Sequence, residues 1–259
     1  MSEVRKAAEL IAAAVAADRP IVAFTGAGVS QESGIPTFRG SEGIWRKYDP
    51  EQVATFEGFL DDPELCWRFH EELRSMCVRS RPNAAHLALA WIERTVVGRA
   101  SVPVVTQNID GLHQSAGSTQ VLELHGSCHR MRCIECTFVC DEMPERFEAL
   151  PPTCDVCGSL LRPDVVWFGE QLPAGAMKEA QRLSETAGVM LVIGTSATVQ
   201  PAASLPILAL RAGAALIEVN SQPTPLTPMV DVSLQGAAGT TLPELADAVG
   251  ALHNGAAGG

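Results

Sequence analysis

The chain predicts an α/β fold, a doubly wound parallel sheet of Rossmann-like form, on three observations. Short apolar runs recur at 21–24, 102–106, 121–124, 189–195 and 214–220, the pattern of strands buried on both faces. Segments with helical spacing of apolar residues, such as 83–94 and 174–187, stand between them. Four of the runs end in glycine or polar residues: Gly26-Ala27-Gly28, Thr106-Gln107-Asn108, Gly194-Thr195-Ser196 and Asn220-Ser221. Ligands of open α/β sheets bind at the carboxyl ends of the strands, so these four loops are expected to line one site.

Taken in order, residues 4–17 put Leu10, Ile11, Ala14 and Val15 at helical spacing before Asp18-Arg19-Pro20 breaks the helix. The first strand follows at once and delivers the glycine turn. No strand run appears from 41 to 81. Asp62-Pro63-Glu64 is a helix start there, and Leu65, Phe69, Leu73 and Met76 form an apolar stripe, so this stretch reads as a small helical lid. A second interruption carries Cys133-Ile134-Glu135-Cys136 and Cys154-Asp155-Val156-Cys157, with 17 residues between the pairs. That spacing describes a closed four-thiolate zinc site, structural because no coordination position stays open. The expected organisation is a Rossmann-like domain over 1–40, 82–129 and 163–259, a helical lid module over 41–81, and a zinc-binding module over 130–162.

Two disulfides in a secreted chain would be the other reading of the four cysteines. No basic, apolar leader precedes the first helix, and Cys66, Cys77, Cys128 and Cys140 are scattered without pairing logic, so a reducing, cytoplasmic setting is expected. No apolar run is long enough to cross a bilayer, and no membrane association is expected. With 19 Lys and Arg against 30 Asp and Glu, the formal charge of −11 repels a phosphate backbone. Nucleic acid is therefore not an expected partner, whereas basic protein segments are; the chain is expected to be a monomer.

The turn Gly26-Ala27-Gly28-Val29-Ser30 after a strand lets backbone N–H groups approach a pyrophosphate. The third glycine of a dinucleotide fingerprint would fall at position 31, where Gln31 stands, which disfavours a plain dehydrogenase. Further along come Gly34-Ile35-Pro36-Thr37-Phe38-Arg39-Gly40, Thr106-Gln107-Asn108-Ile109-Asp110, His125-Gly126, both cysteine pairs, Val165-Val166-Trp167-Phe168-Gly169-Glu170, Gly194-Thr195-Ser196 and Val219-Asn220. In that combination and order, over roughly 21–243, the chain resembles the sirtuins, NAD-dependent protein lysine deacylases.

The resemblance implies roles by position. Gly26, Ala27, Gly28 and Ser30 hold the phosphates of NAD, and Phe38 and Arg39 sit on a loop closing over the nicotinamide ribose. Gln107 bonds a ribose hydroxyl, and Asn108, Ile109 and Asp110 form the nicotinamide pocket, with Asn108 also counted in the catalytic set. His125 is the general base; on the residues alone, His113 would compete for that role. Gly194, Thr195, Ser196, Asn220, Ser221 and the backbone near Ala238 hold the adenosine half. Val165, Val166, Trp167, Phe168, Gly169 and Glu170 pair with the substrate backbone as an added strand, the acyl-lysine entering an apolar tunnel. The implied products are free lysine, nicotinamide and O-acyl-ADP-ribose, with protein acyl-lysine as the partner, NAD as co-substrate and one structural Zn2+. A mono-ADP-ribosyltransferase using the same pocket is the alternative activity.

The sequences around Trp45 and Trp167 most resemble the branch that includes desuccinylases and demalonylases. That branch reads the acyl carboxylate with a tyrosine and an arginine three residues later; the matching positions here are His70 and Leu73. Acetyl is therefore the expected acyl group. Two alternatives concern His70 and Arg74, neighbours on one helical face: they rebuild a carboxylate site, or they belong to a solvated face beside Glu71 and Glu72.

Overall fold

The computed structural model describes residues 2–38 and 43–257, the side chains of 254–257 excepted. Its strands are β1 (Ile21–Thr25), β2 (Val104–Thr106), β3 (Val121–Glu123), β4 (Gly126–Cys133), β5 (Val139–Cys140), β6 (Leu161–Val165), β7 (Val189–Ile193), β8 (Ala215–Asn220) and β9 (Val232–Gln235). Its α-helices are α1 (Glu3–Ala16), α2 (Pro50–Val53), α3 (Phe56–Asp61), α4 (Pro63–Arg79), α5 (Ala84–Val96), α6 (Leu112–Ala116), α7 (Ala174–Thr186), α8 (Leu205–Arg211) and α9 (Ala238–Ala257).

Six strands form one parallel sheet in the order β3-β2-β1-β7-β8-β9. Alternation along β1 explains why both faces are covered. Ile21 and Ala23 pack with α1, α5 and α9, whereas Val22 and Phe24 pack with α7 and α8. Fully burying one such side chain contributes about 1.5 to 3 kcal/mol, so a strand apolar on both faces is held from both sides. Strand order reverses between β1 and β7, and the crevice outside their carboxyl ends is where such sheets bind ligands. Here the two loops approach so closely that a Cβ on Gly28 would lie 2.7 Å from the Gly194 carbonyl oxygen. Gly194 itself has φ +58°, so glycine is required on both sides of the crevice.

The strand β9 escapes the pattern of continuous apolar runs because it sits at the sheet edge and alternates: Val232 and Leu234 are buried, Ser233 and Gln235 exposed. The strands β4 and β6 pair antiparallel with each other, and β5 joins β4 to make a three-stranded sheet. Both run through expected domain boundaries: residues 129 and 130 lie within β4, and 162 and 163 within β6.

Helix α4 starts where expected, with the Asp62 carboxylate accepting the Leu65 N–H at 2.9 Å and Pro63 in the first turn. Its inward face carries Trp67, Phe69, His70 and Leu73, and these pack with Met131, Leu161, Val165 and Trp167. The Trp67 indole also donates to the Leu161 carbonyl at 2.8 Å. The two insertions, expected as separate modules, therefore share one core beside the large sheet.

Candidate functional site

A cavity of about 700 Å³ opens at the carboxyl ends of β1, β2, β7 and β8. Of the residues expected there, Gly26, Ala27, Gly28, Phe38, Gln107, Asn108, Ile109, His125, Gly194, Thr195, Ser196, Asn220 and Ser221 line it. So do His70 and the run Val165, Val166, Trp167, Phe168, Gly169 and Glu170. Ser30, Arg74, Asp110 and Ala238 do not line it, and Arg39 falls outside the described residues.

Backbone builds the sheet side of this cavity. Gly26 N–H donates to the Ile193 carbonyl at 3.0 Å and Gly28 N–H to the Gly194 carbonyl at 2.8 Å. These two glycines join loop to loop; their N–H groups are already engaged, contrary to the expectation that they point at a pyrophosphate. The Asn220 amide donates to the Thr195 carbonyl at 2.8 Å, and Gln107 reaches Thr195 Oγ1 at 3.1 Å.

Ser30 and Asp110 stand one layer deeper. The Ser30 hydroxyl donates to Asp110 Oδ2 at 2.7 Å and accepts from Asn108 Nδ2 at 3.0 Å. Asp110 Oδ1 accepts the N–H of Leu112, the first residue of α6, at 2.9 Å. Ser30 is 1% exposed and Asp110 6%, so both orient Asn108 from behind. Ala238, at the start of α9, is likewise buried away from the cavity.

Two histidines complete this buried layer. His86 stands 3.4 Å from the Ser30 hydroxyl while its ring closes the capping box of α5 with Asn83. His113 Nε2 meets Thr25 Oγ1 at 3.0 Å, and its Nδ1 is buried without a partner. Burial holds His86 down to about 4; burial and the neighbouring His86 hold His113 down to about 3. His113 is thus a core residue and does not reach the cavity.

His125 does. Its Nδ1–H donates to the Gln107 carbonyl at 2.9 Å, and since a carbonyl only accepts, Nε2 is the basic nitrogen of the neutral ring. Burial lowers its pKa and the carbonyl bond opposes that shift, so at pH 7 the imidazole is an unprotonated base on the cavity wall. The His125 carbonyl accepts the Val166 N–H at 2.9 Å, tying the base to the expected substrate strand.

Side chains build the far wall: Trp45, Phe69, His70, Leu73, Ile109 and Val165. Leu73 stands at the position where the related branch carries its arginine; Trp45 and Phe69 carry no site role in the sequence reading, and tertiary packing brings them to the cavity beside it. His70 is 6% exposed and both nitrogens are engaged. Nδ1–H donates to the Cys66 carbonyl at 2.8 Å, and Nε2 accepts the Trp167 indole N–H at 3.1 Å. Burial pushes its pKa down to about 4, so it offers no charge to an acyl carboxylate. Arg74 is held elsewhere. Glu71, three residues back on the same helix, grips its guanidinium at 2.6 and 2.8 Å, and Nη2 also donates to the Glu145 carbonyl at 3.2 Å. Its side chain is 11% exposed. The pair is thus neither a rebuilt carboxylate site nor a solvated face, because the i−3 carboxylate captures the cation before it can turn to the cavity.

The Sγ atoms of Cys133, Cys136, Cys154 and Cys157 all lie within 4.8 Å of one another, with pairs at 3.4 and 3.7 Å. Four thiolates at ~2.3 Å from one ion are separated by about 3.8 Å, so the set fits tetrahedral zinc. It stands apart from the cavity and takes no part in lining it.

The profile of the Sir2 family matches residues 26–201. An NAD-dependent protein deacylase 2 from Pyrobaculum aerophilum is 48% identical over 241 residues, covering 92% of this chain and 94% of its own. A solved Sir2 homolog–NAD complex superposes with TM-score 0.86 at 45% identity, covering 95% of this chain and 94% of its own. Sir2Af2 bound to a myristoylated histone peptide superposes with TM-score 0.74 at 37% identity, covering 98% of each chain. By sequence and by fold, the chain belongs to the Sir2 family.

Proposed function

We propose that the chain is an NAD-dependent protein-lysine deacylase that removes neutral acyl groups, acetyl foremost, with His125 as general base. The observation that carries this is His125 itself, neutral, fixed through Nδ1 by the Gln107 carbonyl, and placed where the glycine-loop wall meets the apolar wall. The deacylase name of the relative, the NAD-bound homolog and the histone-peptide complex support the reading. NAD supplies a ribose carbon that nicotinamide leaves and that the acyl oxygen can attack.

The chain's own groups do the rest. The loops from Gly26 and Gly194, with Ser196 and Asn220, receive the dinucleotide, and Gln107 offers its amide to a ribose hydroxyl. Asn108, braced by Ser30 and Asp110, faces the nicotinamide end beside Ile109. His125 Nε2 takes the proton of a ribose hydroxyl so that its oxygen can attack the activated acyl carbon. The edge from Val165 to Glu170 receives the substrate backbone, and the wall of Phe69, Leu73 and Trp167 excludes water from the acyl chain. With His70 closed to hydrogen bonding and Arg74 turned away, that wall presents no cation among the described residues to a succinyl or malonyl carboxylate.

Incubating an acetyl-lysine peptide with and without NAD, with products read by mass spectrometry, tests the proposal. Free lysine with O-acetyl-ADP-ribose appearing only with NAD is the expected result. ADP-ribose attached to protein, with the acetyl group retained, would replace it with the mono-ADP-ribosyltransferase reading.

A further inference from the structure

The segment 162–170 closes around one buried cation. Arg162 is 2% exposed, and among the described residues its guanidinium hydrogen-bonds within its own stretch of chain, with the Phe56 ring 5.9 Å away. Nη1 donates to Glu170 Oε1 at 2.5 Å and Nη2 to Oε2 at 2.9 Å. Nη2 also donates to the Val165 carbonyl at 2.9 Å, and Nε to the Pro163 carbonyl at 3.3 Å. Its central carbon lies 3.4 Å from the centroid of the Trp167 ring, and Glu170 Oε2 accepts the Trp167 backbone N–H at 2.8 Å.

Past β6 the one bridge between Thr55 and Phe168 is the segment's sheet pairing among the described residues before α7, and the guanidinium adds most of the ties that fix its shape. Three ties then carry that shape outward. Val166 N–H donates to the His125 carbonyl at 2.9 Å, Phe168 N–H to the Ala54 carbonyl at 2.9 Å, and the Trp167 indole to His70 on α4 at 3.1 Å. Arg162 does not line the cavity, yet Val165, Trp167 and Glu170, which it holds, do.

We propose that Arg162 is a positioning residue for the acyl-peptide. It shapes the edge from Val165 to Glu170 and, through Trp167 and His70, the apolar acyl wall, while leaving the NAD side untouched. This rests on the reading of 165–170 as the substrate strand. Lysine at 162 keeps the charge but loses both the two-pronged fork and the flat stack on the indole, so it restores the function only in part.

The test varies peptide and NAD separately in steady-state kinetics for the parent, Arg162→Lys, Arg162→Met and the double variant Arg162→Met with Glu170→Gln. The double variant leaves no unpaired carboxylate behind, and melting curves establish that each protein is folded. The expected result is a peptide KM raised about tenfold or more in the methionine variants and about threefold in the lysine variant, with the NAD KM within about twofold of the parent. A peptide KM that stays at the parental value, or peptide and NAD KM values rising together, would overturn the proposal. If the methionine variants do not fold, the same split in Arg162→Lys decides it. A peptide N-methylated at the backbone amides beside the acetyl-lysine, run on the parent, tests the strand reading by itself. An unchanged KM there removes that reading, whereas a raised KM there with a parental value in Arg162→Met removes the role of Arg162 alone.

Discussion

On the sheet side of the cavity the wall is backbone; on the side of the two insertions it is side chain. The first is made by turns at the ends of β1, β2, β7 and β8, where Gly28 and Gly194 meet with no room for a Cβ. The second is made by Trp45, Phe69, His70, Leu73 and Trp167, drawn from α4, the segment before it and the segment that follows β6. A wall of loop backbone changes little when surface residues change, so it suits a co-substrate whose structure never varies. A wall of packed side chains can be recut one residue at a time, so it suits the variable partner, the acyl group. His125 stands at the seam, bonded to Gln107 on one side and Val166 on the other.

Removing the zinc should break the side-chain half most severely, because Cys133 and Cys154 pack in the same core as Trp67, Phe69 and Trp167. Structural zinc contributes on the order of 10 kcal/mol in small domains, so chelation should lower thermal stability and activity together. Retained fold with lost activity would contradict a structural role.

Acid should strike both halves. His70 and His86 resist protonation down to about 4, and His113 to about 3, whereas in an unfolded chain they take up protons near 6.5. Between those values the unfolded state binds more protons, so the stability is full above neutral pH and is lost as pH falls below 6.5. The three together should lose roughly 5 kcal/mol by pH 5. A denaturation midpoint independent of pH from 7 to 5 would show these rings to be hydrated.

Substituting His125 by alanine cuts the seam itself: a loss on the order of a hundredfold or more in turnover, with NAD affinity kept, is the expected outcome. Because burial holds its pKa below the ordinary histidine value, the acid limb of kcat/KM should be centred below pH 6.5. Near-normal turnover of His125→Ala would remove it from the base role. Gly28→Ala probes the backbone half alone, forcing the turns apart; the NAD KM should rise about tenfold and the peptide KM far less. The smallest effect on activity belongs to Arg74→Ala, which breaks a largely buried ion pair and should lower stability by about 1 to 3 kcal/mol while leaving the succinyl-to-acetyl ratio unchanged. A fall in succinyl activity there would place Arg74 at the acyl group after all.

What could be read from the sequence divides along the same seam. The runs that became β1, β2, β7 and β8 are almost wholly buried, so their apolar character announces them, and their loops bring the glycines and Asn108 with them; β3, at the sheet edge, is half-buried and marked only by its short run. The edge strand β9 is half exposed, and β4 and β6 carry arginines that side-chain bonds neutralise, so no apolar run marks them. Sequence order located the loops of Ser30 and Asp110, but only the turn geometry decides that their side chains face inward. Helical spacing put His70 and Arg74 on one face; it does not say that Glu71 takes the guanidinium or that Trp167 takes the imidazole. Local motifs survive translation into three dimensions, whereas a wall assembled from distant side chains is decided by packing.

The most direct test of this account compares kcat/KM for the acetyl- and succinyl-lysine forms of one peptide with NAD saturating. A wall with no free cation among the described residues predicts acetyl turnover favoured by at least about tenfold, the worth of one charge-assisted hydrogen bond that the succinyl carboxylate does not find. Succinyl turnover equal to or faster than acetyl would contradict it.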